Sequence, residues 1–203
     1  MILWDLKWGY VMTEWIKKFG LISLAVLLLT SCQSINTARI KQIKETEATK
    51  TNALVFCAGT DICEFERLDY INIVDEKTHK VTDVAIDQGI VRLHGNWLKN
   101  PNVLYLSIRP QPHEVVIRFY PISTEKAEKL IVIHDFKSSQ HYIFEMYRDR
   151  EAFGGSLLQV SAPEPLCVDL KENQKVIRRF CKPYNTLNGL GEFVEKKLTV
   201  IRH

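Results

Sequence analysis

Short apolar runs separated by turn residues follow one another from Leu54 to near the end of the chain. Several alternate apolar and polar residues, as in EVVIRFY, which places Val115 and Val116 on opposite sides. This pattern predicts a mainly antiparallel β-sandwich, in which one face of each sheet is buried and the other is partly exposed to solvent. The predicted strands are ALVFC, FERLDYINIV, IVRLHG, VLYLSIR, EVVIRFYPI, KLIVIHDF, HYIFEMYR, LLQVS, LCVDL and VIRRF.

One late segment departs from this pattern. In LNGLGEFVEKKLTVI, the apolar residues Leu190, Phe193, Val194 and Leu198 recur at helical spacing. We therefore expect a short helix at the C-terminal end of the domain.

An uninterrupted apolar run occupies residues 19–29, directly after Lys17 and Lys18. It has about eleven residues, whereas a membrane-spanning helix needs roughly 20. The order of charged, apolar and small residues is typical of a secretory signal. The following Leu29-Thr30-Ser31-Cys32 resembles the lipobox of bacterial lipoproteins. This resemblance implies cleavage between Ser31 and Cys32 and attachment of diacylglycerol and palmitate to Cys32.

The resemblance also implies a cellular location. Gln33 follows the cysteine in place of the aspartate that favours inner-membrane retention. We therefore expect a lipid-anchored protein of the bacterial outer membrane, with its domain facing the periplasm. The predicted organisation is a signal peptide at 1–31, with Met12 as an alternative start, a lipidated cysteine and flexible tether at 32–52, and one β-rich domain at 53–203. A short amphipathic helix using Ile40 and Ile43 is the alternative to the tether.

The net charge of +3 and the charged content of 25% belong to an ordinary folded protein. Nucleic-acid binders usually concentrate basic residues on one face, and this chain has no such concentration in its sequence. We therefore expect no nucleic-acid partner and no cofactor.

Four cysteines remain once Cys32 is assigned to lipid: Cys57, Cys63, Cys167 and Cys181. An even number in an exported chain predicts disulfides. A hairpin turning at 173–175 would place Cys167 opposite Cys181. Cys57 and Cys63 would then close the small loop CAGTDIC. The alternative is a single zinc ion held by four thiolates.

A second, more local resemblance covers residues 103–150. His113-Glu114-Val115-Val116-Ile117 and residues 136–144, FKSSQHYIF, are similar to the strand and aromatic-turn plan of PEGA-like β-domains in small envelope lipoproteins. The usual Pro-Gly turn is replaced here by Gln111-Pro112. The resemblance implies a non-catalytic envelope module and supplies no active-site residue.

No catalytic motif has the spacing of a known reaction class. His113, His134 and His141, with Asp135, are the candidates for a metal site, because pairing of KLIVIHDF with HYIFEMYR through KSSQ would bring two of the histidines together. The alternative is that these histidines are exposed or satisfied by single hydrogen bonds.

Two stretches could contact a partner. Arg178, Arg179 and Lys182 lie among aromatic residues in KVIRRFCKPYN, although adjacent strand residues point to opposite faces. Trp97 lies in the polar turn HGNWLKNPN. We expect a membrane-anchored binding or structural module with an envelope protein as partner. The alternatives are a hydrolase of envelope polymers, using His113, His134 or Asp135, and a carrier of an apolar ligand.

Overall fold

The computed structural model describes residues 31–94, 102–149, 164–182 and 191–198. The chain divides into two units, residues 1–42 and 43–203. In the first unit, helix α1 covers Ser31–Gln42 and therefore contains Cys32. Among the described residues no helix is long and apolar enough to cross a membrane; the apolar run at 19–29 lies outside them.

Helix α1 occupies part of the segment for which the sequence predicts a flexible tether or, as the alternative, a short helix. The segment contains no proline or glycine, and Arg39 and Lys41 lie in its last turn, where positive charge interacts favourably with the helix dipole. The helix ends before Ile43, which the amphipathic alternative had included. The end of the predicted tether is also ordered, because the carbonyl of Thr51 accepts hydrogen bonds from Ser138 Oγ and Ser139 N.

The second unit is mainly β, as the sequence predicts. Its elements are short, like the apolar runs in the sequence. The predicted strand LLQVS lies outside the described residues. They are β1 (Ala53–Ala58), β2 (Ile62–Leu68), β3 (Ile71–Asn72), α2 (Asp83–Asp87), β4 (Val91–Leu93), β5 (Leu104–Ile108), β6 (Pro112–Ser123), β7 (Lys126–Asp135), β8 (His141–Arg148), β9 (Leu166–Glu172), β10 (Lys175–Lys182) and β11 (Val194–Lys196).

The strands form two sheets. Sheet A has the order β11-β10-β9-β8-β1-β5-β4, and sheet B has the order β3-β2-β6-β7. The pairings are antiparallel except for β1 with β8, which run parallel. Between β1 and β8 the chain forms β2 and β3 of sheet B, then β4 and β5 of sheet A, then β6 and β7 of sheet B. Strand β8 then joins the edge of β1 opposite β5, parallel to β1.

The predicted hairpin between β7 and β8 is therefore wrong, since these strands belong to different sheets. The KSSQ segment carries the chain from one sheet to the other instead of turning it back. Ser138 and Ser139 bind the carbonyl of Thr51, and Phe136 just before them is buried. This connection is thus fixed to the start of β1, which it leads the chain to join.

Alternate residues of both sheets form the core. In sheet B the buried face carries Val115, Ile117 and Phe119 from β6. The opposite face of β6 is also buried, because Val116, Arg118 and Tyr120 are all less than a tenth exposed. The expectation of a partly wet face is wrong for this strand. The segment after β3 covers it, since Val74 is buried and its carbonyl accepts a hydrogen bond from Arg118.

Both predicted disulfides are confirmed. Cys167 and Cys181 are bonded across β9 and β10, where they are direct partners with Cα atoms 4.1 Å apart. The hairpin turns at Asn173 and Gln174, whose φ angles of 47° and 74° suit a tight two-residue loop. The other bond joins Cys57 of β1 to Cys63 of β2 and so links sheet A to sheet B. The four sulfurs are bonded in pairs and so do not form the zinc ligand set that was the alternative.

The predicted C-terminal helix is not present in the described part of its segment. Val194–Lys196 form strand β11, and the parts of the segment at 187–190 and 199–201 lie outside the described residues. Strand pairing outweighs the helical spacing here, because β11 pairs with β10 and Glu195 forms an ion pair with Arg178 of that strand.

Candidate binding cleft

The three basic residues singled out in the sequence bind other parts of the protein. Arg178 binds both carboxylate oxygens of Glu195 at 2.8 and 2.7 Å and donates from Nη1 to the carbonyl of Ile133 at 2.7 Å. Lys182 Nζ lies 2.5 Å from Glu128 of β7. These contacts join β10 to β11 and to sheet B. Arg178 and Lys182 are therefore structural cations, and Trp97 lies outside the described residues.

The three candidate histidines do not converge. His113 is buried, with Nδ1 2.6 Å from Asp69 Oδ2 and Nε2 3.1 Å from the carbonyl of Arg109, so both ring nitrogens are engaged. His134 lies opposite it in β7, whereas His141 is exposed and stacks on Phe56 of sheet A. Each histidine thus has a different environment, and among the described residues the three do not form a metal-ligating group.

The environment of His134 favours its neutral form. Its ring packs edge-on against Phe136 and Tyr142, with centroids 5.0 and 5.4 Å away. Burial lowers the pKa of His134 below its ordinary value, and the positive charge of Arg178 lowers it further. Asp135, its neighbour at the end of β7, is exposed.

Within the described residues, possible metal ligands converge at Asp149, Cys167 and Cys181. Both sulfurs belong to the disulfide, so this group offers no thiolate to an ion. The histidines take no part in it.

A cleft of about 530 Å³ lies where the β1–β2 loop meets the β6–β7 turn and the ends of β8 and β9. Its volume is in the range of small-ligand sites. We name it the end cleft. Its described lining combines hydroxyl, charged and apolar side chains: Gly59, Thr60, Asp61, Ile62, Tyr120, Pro121, Ile122, Ser123, Thr124, Met146, Tyr147, Arg148 and Leu166.

The β1–β2 loop is a rigid wall of the end cleft. The Cys57–Cys63 disulfide closes it, and Gly59 within it has a φ angle of 93° that favours glycine. The side chain of Asn102 clamps the loop, donating to the carbonyl of Thr60 at 2.8 Å and accepting from the amide of Cys63 at 2.9 Å. The loop is therefore preorganised by covalent and hydrogen bonds.

Tyr120 belongs to a buried network of sheet B. Its hydroxyl donates to Glu64 Oε2 at 3.2 Å, and Arg118 Nη2 donates to the same oxygen at 3.1 Å. Arg118 is 1% exposed and also approaches Glu66, which Lys129 neutralises from the outer side. The strand register brings the side chains of Glu64 and Arg118 together, because these residues are direct partners across β2 and β6.

Tyr147 belongs to a matching network of sheet A. Its hydroxyl donates to Asp169 Oδ1 at 3.3 Å, and Arg179 binds both oxygens of Asp169 at 2.7 and 2.9 Å. The Arg179 guanidinium also lies 5.6 Å from the centre of the Tyr147 ring, which adds a cation–π contact. Each sheet thus carries a tyrosine whose hydroxyl is bound to a carboxylate that an arginine also binds, and both tyrosines are among the residues that line the end cleft. We call these two sets the tyrosine triads.

The triads fix the chemistry of both phenols. Burial, with the negative charge of Glu64, raises the pKa of Tyr120 to about 12, and burial with Asp169 does the same for Tyr147. Both phenols therefore stay protonated near neutral pH. Because each hydroxyl hydrogen is directed at a carboxylate, the oxygen is left to accept hydrogen bonds. The tyrosines are therefore poor proton acceptors for a reaction.

The residues of this site were not predicted from the sequence. Tyr120 and Tyr147 occur in the predicted strands EVVIRFYPI and HYIFEMYR, but their carboxylates come from other strands. Arg118 and Tyr120 alternate with apolar residues in β6, and Glu64 does so in β2. This alternation in buried strands was the available signal, but it can be interpreted only once the pairing of β2 with β6 is known.

Comparison with known proteins gives no match: no protein-family profile, no curated protein and no solved structure matches the chain. The resemblances to lipoproteins and to PEGA-like domains stay predictions.

Proposed function

We propose that this chain is a lipid-anchored binding protein of the bacterial envelope, which holds an envelope component in its end cleft without chemical turnover. Cys32 would be the lipidated first residue of the mature protein, attached to the outer membrane with the domain facing the periplasm. From the sequence, a protein is the expected partner. Several acyl chains would hold such a protein firmly at a membrane, since each buried methylene contributes about 0.8 kcal/mol.

We further propose that sheets A and B stack as a β-sandwich. Contacts between residues of the two sheets support this packing. Phe136, just after β7, and Tyr142 of β8 have ring centroids 4.9 Å apart. The Cys57–Cys63 disulfide and the Lys182–Glu128 ion pair also join one sheet to the other.

The disulfides support an exported location. Disulfides persist in oxidising compartments and are rare in the reducing cytosol. This chain closes two of them at Cys57–Cys63 and Cys167–Cys181. An exported destination is what the signal-like segment at 1–31 also predicts.

The observation that carries the binding function is the end cleft itself, whose volume of about 530 Å³ suits a small ligand and whose described lining contains no histidine. Burial, together with the neighbouring carboxylates, raises the pKa of Tyr120 and Tyr147, so both are poor proton acceptors. A hydrolase built on His113, His134 or Asp135 is disfavoured, because these residues do not line the cleft. An apolar carrier is disfavoured because Asp61, Arg148 and several hydroxyls line it.

The test compares the full chain with its Cys32→Ala variant. We expect the unaltered protein in the outer-membrane fraction and the variant in the soluble fraction, because only the first carries acyl chains. Purified protein incubated with isolated envelope polymer should retain the polymer without shortening it. A membrane-bound Cys32→Ala protein would contradict the anchor, and release of polymer fragments would show an enzyme instead.

A further inference from the structure

We propose that strand β7 pairs with the same strand of a second copy of the chain, in antiparallel orientation and centred on Val132. The two copies would thereby join their sheets B into one continuous sheet. This surface is separate from the end cleft, and the pairing does not depend on the lipid anchor. It follows from the position of β7 in sheet B, the exposure of its side chains and the order of its charges.

Strand β7 lies at one end of sheet B, with β6 on one side and no described strand on the other. Glu114 of β6 lies opposite Ile133, and its backbone N–H and carbonyl both bind Asp69, on the side of β2. Backbone groups alternate in direction along an antiparallel pair, and residues directly opposite each other either face together or face apart. Ile133 therefore directs its backbone groups away from β6, as does every second residue from 129 to 135.

The side chains at the middle of this edge are apolar and exposed. Ile131 and Ile133 are 56% and 64% exposed, on the face of β7 opposite the buried Leu130 and Val132. Edge strands are usually protected against pairing by charged side chains, proline or a bulge. Here two neighbouring isoleucines take the central positions, and β-branched side chains stabilise strands that lie side by side. The exposed edge of β7 therefore suits pairing with another strand.

The order of these side chains is complementary to itself. Pairing centred on Val132 places Ile131 opposite Ile133 of the second copy, and Lys129 opposite Asp135 of the second copy. Each contact occurs twice, because the two copies are related by a twofold axis. A centre at Ile131 would place Ile133 opposite Lys129, and a centre at Ile133 would place Ile131 opposite Asp135. A parallel pair in register would place equal charges side by side, which is unfavourable. Among these registers, the one centred on Val132 matches both apolar and charged residues.

Two contacts already present at this edge are compatible with the pairing. Arg178 of sheet A donates to the carbonyl of Ile133 at 2.7 Å, which supports the outward direction of this backbone group. A carbonyl oxygen has two lone pairs, so it can accept a second hydrogen bond from the new strand. Lys129 Nζ lies 2.9 Å from Glu66, but the lysine side chain is 42% exposed and its ammonium group has further N–H donors. Lys129 can therefore also meet a carboxylate of the second copy.

The test is sedimentation equilibrium of the full chain in the Cys32→Ala background, in which no acyl chain on Cys32 can drive association. Pairing through one strand gives a small interface, so we expect a reversible dimer with a dissociation constant of about 1–100 μM. The assembly should stop at the dimer, because the twofold pairing uses the edge of both copies. A chain that stays monomeric up to about 1 mM, or one that forms larger open-ended assemblies, would overturn the proposal.

Ile133→Thr tests the apolar contact, because threonine keeps the β-branched shape of this exposed residue while replacing a methyl-bearing carbon with a hydroxyl. Two symmetric cross-strand contacts are weakened at once, so the dissociation constant should rise about three- to thirtyfold. Val84→Thr is the matched control, since Val84 is 54% exposed but lies on helix α2. It should dimerise like the unaltered protein, and both variants should keep their melting temperature within a few degrees.

Asp135→Lys tests the register, because the new side chain would face Lys129 of the second copy in both symmetric contacts. It should weaken the dimer about tenfold at low salt and less at high salt, since exposed charges are screened. Glu76→Lys makes the same change of charge in the exposed turn after β3 and should leave the dimer intact. A dimer that Ile133→Thr or Asp135→Lys weakens no more than its control would contradict this pairing.

Discussion

Replacing Gly59 with alanine will destabilise the domain by more than about 3 kcal/mol, the upper part of the range for overpacking. A Cβ at this position would overlap the carbonyl oxygen of Met146 and lie 2.7 Å from its amide nitrogen. The obstacle is backbone of β8, which cannot rotate away. The φ angle of 93° adds strain for any residue with a side chain. Urea denaturation followed by circular dichroism would measure the loss.

Gly89→Ala is the matched control for Gly59→Ala. Gly89 also has a positive φ, 66°, but a Cβ there would meet its nearest atoms at 3.6 Å, which is ordinary contact. Its cost should be limited to the strain of the left-handed backbone, about 1–2 kcal/mol. Equal stability of the two variants would show that the β1–β2 loop does not lie against β8 as described.

Arg118→Ala should cost about 3–5 kcal/mol, because it removes one partner of a buried ion pair and leaves the other uncompensated. Arg118 is 1% exposed, and its partner Glu64 is 14% exposed. The arginine is itself imperfectly satisfied, since Nε and Nη1 have no hydrogen-bond partner among the described residues. Thermal or urea unfolding would measure the effect.

Two further variants distinguish charge from packing. The double variant Arg118→Met with Glu64→Gln removes both charges and should recover most of the lost stability, since neutral groups are cheaper to bury. Arg67→Ala breaks the Arg67–Glu114 pair, whose side chains are 37% and 33% exposed, and should cost about 1 kcal/mol or less. If Arg118→Ala costs no more than Arg67→Ala, the buried network does not stabilise the fold.

Local patterns predicted the elements well. Most of the predicted strands coincide with described strands, although FERLDYINIV is divided by the turn at Asp69 and Tyr70 into β2 and β3, and LLQVS lies outside the described residues. KENQK marks the β9–β10 hairpin because Asn173 tolerates positive φ. The cysteine positions then selected one pairing from three, since strand register places Cys167 opposite Cys181. These features depend on residues close in sequence.

Features that depend on distant residues were missed. KSSQ resembles a hairpin loop, yet it links two sheets because Ser138 and Ser139 bind the carbonyl of Thr51. The tyrosine triads were equally hidden, since Tyr147, Asp169 and Arg179 come from three neighbouring strands. A pattern along one strand cannot show which charged residue its neighbour will present.

The same reason explains why the partners of Arg178 and Arg179 in β10 could not be predicted from the sequence. Alternation correctly placed Arg178 and Arg179 on opposite faces, so they form no common clamp. Their partners, Glu195 and Asp169, lie on the strands at either side of β10. Only the sheet order shows that these arginines bind within the protein.

The mass of the mature N-terminal peptide tests the central proposal, that Cys32 anchors a binding domain to the envelope, most directly. Full-length protein is purified from membranes, digested and analysed by mass spectrometry. We predict an N-terminal peptide that begins at Cys32 and carries diacylglycerol, with residues 1–31 removed. A mature chain that begins elsewhere, or an unmodified Cys32, would contradict the proposal.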